Sequence, residues 1–273
     1  MFDEFINRRR RIRAETRQLR EIPRLLIQLE SLRSLTPDDL AATLDCAATH
    51  REWSHAESYL NDVCQIEDRK TFGVNPGDRR ALWYLVKGFA ARSVLEIGTH
   101  VGASTVYIAA ALKTFDGADS PRLVTVDIED VNDEVSGEWR KRGLANSPRE
   151  MIRTAGCRDL VTFVRNSSLQ YLAGCTDCFD LVFLDGENTA ANVYQEMSLA
   201  SKVLNKDGLI LLHDYFPKNR ALWTGNSPRV GPYIALSRVR KEDPQIKVTP
   251  LGELPWPTKL GTRKTTLALV TRQ

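Results

Sequence analysis

Acid, amide and imidazole groups recur in this chain at the ends of short apolar runs. They occur in Glu96-Ile-Gly-Thr-His-Val-Gly-Ala-Ser104, at Asp127, at Asn166-Ser167, at Asp185 and in His213-Asp214-Tyr215. Carboxylates accept from hydroxyl and ammonium groups, and a neighbouring carboxylate and imidazole can ligate a cation or move a proton. Such groups at successive strand ends are hard to explain as packing, because each would need a buried partner. In an open parallel sheet the ligand sits beyond the carboxyl ends of the strands, so these residues are expected to converge on one crevice.

The elements that must hold them follow from periodicity. Strand patterns at 93–97, 122–127, 160–164, 179–184 and 208–213 alternate with helix patterns at 104–113, 148–156, 168–173, 190–204 and 229–241. Alternation of this kind predicts an α/β fold, Rossmann-like and doubly wound, with a mostly parallel seven-stranded sheet. The last two strand patterns, 245–249 and 265–270, have only a Pro- and Gly-bearing loop between them and predict a C-terminal antiparallel hairpin. The Gly73–Asp78 turn cluster marks a boundary, with a helical N-terminal extension over 1–72 and the main domain over 73–273. Within the extension, Phe5, Ile12, Leu19 and Leu26 recur every seven residues, with Ile22 and Leu29 between them, and predict a helical seam broken or restarted at Pro23. That seam is expected to cover a second subunit, giving a homo-oligomer, or to fold back on the main domain. Further helices are expected from Pro37 to His50, capped by Thr36, and from Ser54 to Val63.

The first loop separates two cofactor classes. Gly98 and Gly102 allow a tight turn, and the helix opening after them offers N–H donors to an anionic group. A dinucleotide fingerprint requires Gly-x-Gly-x-x-Gly, whereas this loop reads Gly98-x-x-x-Gly102 with Glu96 beside it. A carboxylate there repels a pyrophosphate and suits an ammonium group or hydroxyls, so a nicotinamide cofactor is disfavoured. Asp127 is placed to accept from both hydroxyls of a ribose.

Glu96-Ile-Gly-x-x-x-Gly-x-Ser104, Val126-Asp127, Asn166-Ser167 and Phe183-Leu-Asp-Gly186, in this order, resemble the class I S-adenosylmethionine-dependent methyltransferases. The nearest branch is that of the catechol, caffeoyl-coenzyme A and sugar O-methyltransferases, over about residues 73–273. The resemblance implies that Glu96, Gly98, Thr99, His100, Gly102 and Ser104 face the methionine part of the cofactor. It places Asp127 at the ribose, and Asn166 and Ser167 at the adenine, with Ser167 also available as a helix cap. It implies a divalent metal, magnesium by the hardness of its oxygen ligands, at Asp185 and Asp214. Where the catechol branch has Asp-Asn this chain has Asp214-Tyr215, and Asn188 stands in place of that branch's lysine base. His213 then becomes a metal ligand or the general base, and Asp185, His213 and Asp214 are the expected catalytic group. The acceptor is expected to be a sugar or another small hydroxyl compound, with its pocket drawn from residues 50–75, the 215–230 loop with Trp223 and the 251–263 loop with Trp256. His50 and His55 lie in the extension, away from this chemistry.

The composition is that of a globular protein: 42% hydrophobic and 27% charged residues over 273 positions, with a net charge of +3. So small a charge does not argue for nucleic acid, and no apolar run is long enough for a transmembrane segment. Nine arginines against five acids in residues 1–33 could meet RNA or an anionic membrane, or form the solvated face of a helix. The five scattered cysteines, Cys175-Thr-Asp-Cys178 included, fit a reducing, cytoplasmic setting better than a disulfide framework or a zinc site.

Overall fold

The computed structural model describes residues 2–64, 73–116, 121–223 and 227–273, with side chains from residue 6 onward. Four helices come first: α1 (Phe2–Glu21), α2 (Pro37–Leu44), α3 (Ala47–Cys64) and α4 (Pro76–Gly88). The alternating part then runs β1 (Ser93–Ile97), α5 (Ala103–Lys113), β2 (Arg122–Asp127), α6 (Glu138–Lys141), α7 (Pro148–Thr154), β3 (Val161–Arg165) and α8 (Ser168–Gly174). It continues through β4 (Phe179–Leu184), α9 (Ala190–Lys202), β5 (Leu204–Leu212), α10 (Gly231–Glu242), β6 (Ile246–Pro250) and β7 (Ala268–Arg272). Several helix starts share one device, a short polar side chain accepting from the third backbone N–H. Thr36, Asn75, Ser147, Ser167 and Thr189 all do this, and Pro37, Pro76 and Pro148 stand where no N–H is needed.

The sheet order is β3-β2-β1-β4-β5-β7-β6. Five strands run parallel, and β7 enters antiparallel between β5 and β6, as the hairpin pattern predicts. The order reverses between β1 and β4, which opens a crevice at their carboxyl ends. Strand residues alternate strictly between the two faces. Val94, Leu123, Leu181, Phe183, Leu209 and Leu211 pack with α2, α3, α4 and α5, and Leu95, Ile97, Val126, Val182, Ile210 and Leu212 pack towards α9 and α10.

The extension is not a detached appendage. Trp53 of α3 lies edge-on to Trp83 of α4 at 5.8 Å and stacks on Tyr107 of α5 at 5.8 Å, joining it to the main core. The seam packs back on the same chain, with Leu19 buried and Ile22, Leu25, Ile27 and Leu29 half-buried beside α9 and α10. The Phe5 side chain lies outside the described residues.

One expectation is narrowed and two need correction. Of the two alternatives at Pro23 the seam breaks and no helix restarts: α1 ends at Glu21 and residues 23–28 are extended. Proline cannot donate and biases Ile22 away from helix, and α9 supplies the partners that the strap then lacks. Tyr194 Oη accepts from Leu25 N at 3.0 Å, Ser201 Oγ accepts from Gln28 N at 3.0 Å, and Ser198 Oγ donates to Leu26 O at 2.6 Å. Leu26, a seam position, consequently turns outward at 76% exposure. Nor does one helix cover 37–50, because the chain breaks at Asp45-Cys46 so that Leu40 and Leu44 can face α4 while Trp53 and Leu60 face α4 and α5. Finally, α4 begins at Pro76, so Asp78 belongs to a helix and not to a turn.

Two outcomes test this packing. Removing the Trp53 ring (Trp53→Ala) should lower stability by about 3–5 kcal/mol, the range for large aromatic truncations, as read from urea unfolding. Glu196, 1% exposed in α9 with Asn192 Nδ2 donating to it at 2.6 Å, is held up to about 7 chiefly by its burial. A carboxyl whose folded value lies above its unfolded one stabilises least once both forms are ionised. Stability should therefore fall as pH rises from about 4.5 to about 7. Glu196→Gln should flatten that fall and gain roughly 1–3 kcal/mol at pH 8 in urea titrations.

Candidate functional site

A cavity of about 1020 Å³ opens at the carboxyl ends of β1 to β5, where the strand order reverses. Its first wall is the loop after β1. Gly98 has φ +96°, and a Cβ there would stand 2.3 Å from the Asp185 carbonyl oxygen; Gly102 has φ +78°, with Pro148 Cβ 2.9 Å from its missing Cβ. Both glycines are thus required by the neighbouring protein as well as by any ligand. Thr99, His100 and Ser104 line the cavity, whereas Gly102 stands behind the wall as the residue before α5.

Asp127 lies across from this loop and is aimed by its neighbours. His100 N donates to its Oδ2 at 2.9 Å and Glu129 N to its Oδ1 at 3.0 Å, and His100 adopts φ 49° to do so. Asn166 and Ser167 follow β3 on the same wall, and Ser167 also caps α8 through Gln170 N at 3.3 Å. The two readings of Ser167, cap and wall residue, hold together.

Glu96 is placed differently from expectation. It shares strand parity with Val94, so its side chain points to the α5 face, is fully buried and does not line the cavity. Its Oε2 accepts from Thr105 and Thr125 Oγ1, each at 2.6 Å. Burial pushes it up to about 7 against the hydroxyls of Ser104, Thr105 and Thr125. In this structure Glu96 secures the loop from below.

The other end of the cavity is organised by His213. Its Nδ1 lies 3.0 Å from Asp185 Oδ1 and 3.8 Å from Asp214 Oδ1, and its Nε2 lies 3.3 Å from Asp78 Oδ2. Burial opposes the imidazolium, but Asp185, Asp214 and Asp78 outweigh it and raise the histidine well above its ordinary value. Burial raises Asp214, opposed by the charge on His213. Asp214 has φ 55°, a left-handed turn that aspartate tolerates, and this turns its carboxylate back towards the histidine. Arg229 Nε at 2.7 Å and Asn188 Nδ2 at 3.1 Å hold its Oδ2. Ligand atoms of Asp185, His213 and Asp214 all lie within 4.8 Å of one another, the spacing a cation needs.

Several of these residues escaped the reading of the sequence. Asp78 is 1% exposed and is braced by Asn75 Nδ2 at 2.6 Å; the run Asn-Pro-Gly-Asp, which reads as a helix cap with an acid in the first turn, was its available signal. Asn75 and Arg229, inside two of the segments expected to form the acceptor pocket, also line the cavity, as does Arg11 of α1, which no motif singles out. Trp223 lines the cavity as expected, but Trp256 does not: it is buried against Tyr84 at 4.7 Å and donates to Gly77 O at 2.8 Å. His50 sits at Tyr84 Oη, 3.0 Å away, outside the cavity. Residues 65–72, part of the expected acceptor pocket, lie outside the described residues.

Known proteins resemble this chain in sequence and fold. An O-methyltransferase, hkm8, of Aspergillus hancockii is 22% identical over 188 residues, 66% of this chain and 67% of its own. The O-methyltransferase TomG of Streptomyces achromogenes, solved with SAM, superposes with a TM-score of 0.54 at 19% identity over 89% of this chain and 93% of its own. An O-methyltransferase of Bacillus cereus, solved with SAH, gives 0.53 at 20% identity over 87% and 98%. At such identities the structural likenesses establish the fold. Among the described residues no helix is long and apolar enough to cross a membrane. Residues 95–215, which hold the glycine loop, Asp127, Asn166, Asp185, His213 and Asp214, match the family model described as a methyltransferase domain.

Proposed function

We propose that this methyltransferase acts on a hydroxyl oxygen of a small molecule, with a divalent cation held by Asp185, His213 and Asp214. The observation that carries the proposal is the meeting, in one cavity, of the strand-end groups suited to the cofactor with a carboxylate–imidazole–carboxylate cluster. The curated relative and the two structural neighbours named above are O-methyltransferases, which supports oxygen as the target. S-adenosylmethionine, when bound, supplies an electrophilic methyl group on a sulfonium. Asp127, already oriented by two backbone donors, accepts from the ribose hydroxyls, and Asn166 and Ser167 border the adenine.

The donor set of the cluster fits a divalent cation. Around His213 stand three carboxylates, one of them also bound by Arg229, which is more negative charge than the local cations offset. Asp78 can take the Nε2 proton, leaving the Nδ1 lone pair between Asp185 and Asp214; a histidine ligand is commonly oriented by a carboxylate in this way. Two carboxylates suit magnesium, and the imidazole suits manganese as well. Such an ion, when bound, lowers the pKa of a hydroxyl and holds it near the methyl group. Positioning of the two partners can contribute up to ~7–11 kcal/mol. A metal-free reading, with His213 as the base, finds less support. The carboxylates around it favour the protonated imidazole, which lacks the lone pair that a base or a metal ligand needs; binding a cation releases that proton, and the metal-free reading has nothing to do so.

Calorimetry with S-adenosylhomocysteine tests the cofactor site. Wild type should bind, and Asp127→Ala should weaken binding roughly 10- to 100-fold, the worth of hydrogen bonds to a charged group. Asp127→Asn, which keeps an acceptor for His100 N, separates this loss from collapse of the loop. No binding by wild type rejects the assignment. For the metal, Mn²⁺ titrated into wild type should bind, with affinity down at least about tenfold in Asp185→Ala and in Asp214→Ala. Methyl transfer that persists undiminished in excess chelator refutes the metal.

A further inference from the structure

On the acceptor side of the cavity two cations have no carboxylate within ion-pair distance among the described residues. Asp214 is bound by Arg229 and Asn188, Asp185 faces His213, and Glu187 Oε1 accepts from Thr189 Oγ1 at 3.2 Å. Arg142 is paired with Glu138 at 2.7 Å. Arg11 and Lys259 line the same cavity with no carboxylate partner among the described residues.

The place of Arg11 follows from how α1 is pinned. Arg8, Arg11 and Glu15 are three and four residues apart and so share one helix face. Arg8 donates to the Asn219 carbonyl beyond β5, and Glu15 Oε2 accepts from Ala190 N at 2.6 Å, at the start of α9. The helix therefore bridges the gap between the loop after β5 and the turn before α9. Arg11, between the two anchors, faces into that gap, which Asp214 and Asn188 border. Lys259 reaches the cavity from the loop between β6 and β7. Its Nζ stands 5.7 Å from the Trp223 ring, and Trp223 tilts against Phe216 at 6.1 Å.

We propose that Arg11 and Lys259 bind an anionic group of the acceptor, a carboxylate or a phosphate, while Phe216 and Trp223 cover its apolar body. This rests on the acceptor-site reading above and adds to it that the acceptor is a hydroxylated acid. The guanidinium presents a planar fork that matches either anion, and a compact ammonium completes the clamp. The charges also orient the molecule. Asp185, Asp214 and Asp78 repel an approaching acid, whereas Arg11 and Lys259 attract it, so the acceptor enters with its hydroxyl towards the cluster and its anion towards α1.

Calorimetry on the full chain loaded with S-adenosylhomocysteine and Mn²⁺ tests this with paired probes. These are 3,4-dihydroxybenzoate against 4-methylcatechol for a carboxylate, and 4-hydroxyphenyl phosphate against 4-methylphenol for a phosphate. The acid of at least one pair should bind about tenfold more tightly than its neutral counterpart, and the pair that does so identifies the anion. In the Arg11→Gln, Lys259→Gln double variant the advantage should fall to roughly threefold or less, with S-adenosylhomocysteine affinity kept. Neither acid surpassing its neutral counterpart overturns the proposal, as does an advantage that survives in the double variant. Failure of wild type to take up S-adenosylhomocysteine is a separate result, and it rejects the cofactor assignment instead.

Discussion

A single imidazole held among carboxylates from three different elements decides how the ends of this sheet are arranged. Asp185 follows β4, Asp214 follows β5 next to His213 itself, and Asp78 arrives from the first turn of α4. Bare carboxylates so close together would repel one another strongly in a half-buried site, and a cation among them converts that repulsion into cohesion. The backbone reflects the same demand. Asp214 accepts a left-handed conformation, and its N–H is met by Thr266 Oγ1 at 3.3 Å, so the strain is supported from β7's side of the sheet. Asp78 is locked by Asn75, which also caps α4, so the start of that helix and the geometry of the cluster are one feature.

Strand parity explains the division of labour at the opposite end. Adjacent residues in β1 face opposite sides, so Glu96 must lie beneath the loop while Gly98 and the residues after it line the cavity. One oxygen of the carboxylate there accepts from threonines of α5 and β2, and the loop above it is tied to Asp127 through His100 N. A motif reading treats Glu96, Gly98 and Asp127 as equivalent ligand contacts. In three dimensions two of them form the wall and one is its foundation.

What the sequence made legible was what local periodicity encodes. The alternation from Ser93 onward, the strand ends and the closing hairpin all appear near the expected positions, because the central strands β1, β4 and β5 are largely buried and several helices carry their own caps. The extension was harder to read, since its backbone partners come from far along the chain. Residues 23–28 are extended because α9 offers Tyr194, Ser198 and Ser201 at matching positions, and no pattern within the segment encodes that. Asp78 was hidden for a related reason. Its local role as a first-turn acid is sufficient to account for it, and only its distance to His213 reveals the second role.

This contrast has a consequence for how such a protein divides its tasks. The groups assigned to the methyl donor and to the cation, apart from Asp78, all lie within residues 95–215, the segment that matches the methyltransferase family. Other groups that line the cavity, and that the proposal assigns to the acceptor side, lie outside it: Arg11 on α1, Asn75 before α4, Trp223, Arg229 and Lys259 on three later loops or turns. Donor and cation chemistry require fixed geometry, and the sheet supplies it through strand ends braced on both sides. The rest of the wall is built from segments whose attachment depends on a few side-chain contacts, such as Arg8 with Asn219 and Glu15 with Ala190. Under the acceptor reading proposed above, change in those contacts would alter the acceptor without disturbing the strand ends, because the N-terminal helix is as much a part of the cavity wall as the loop after β5.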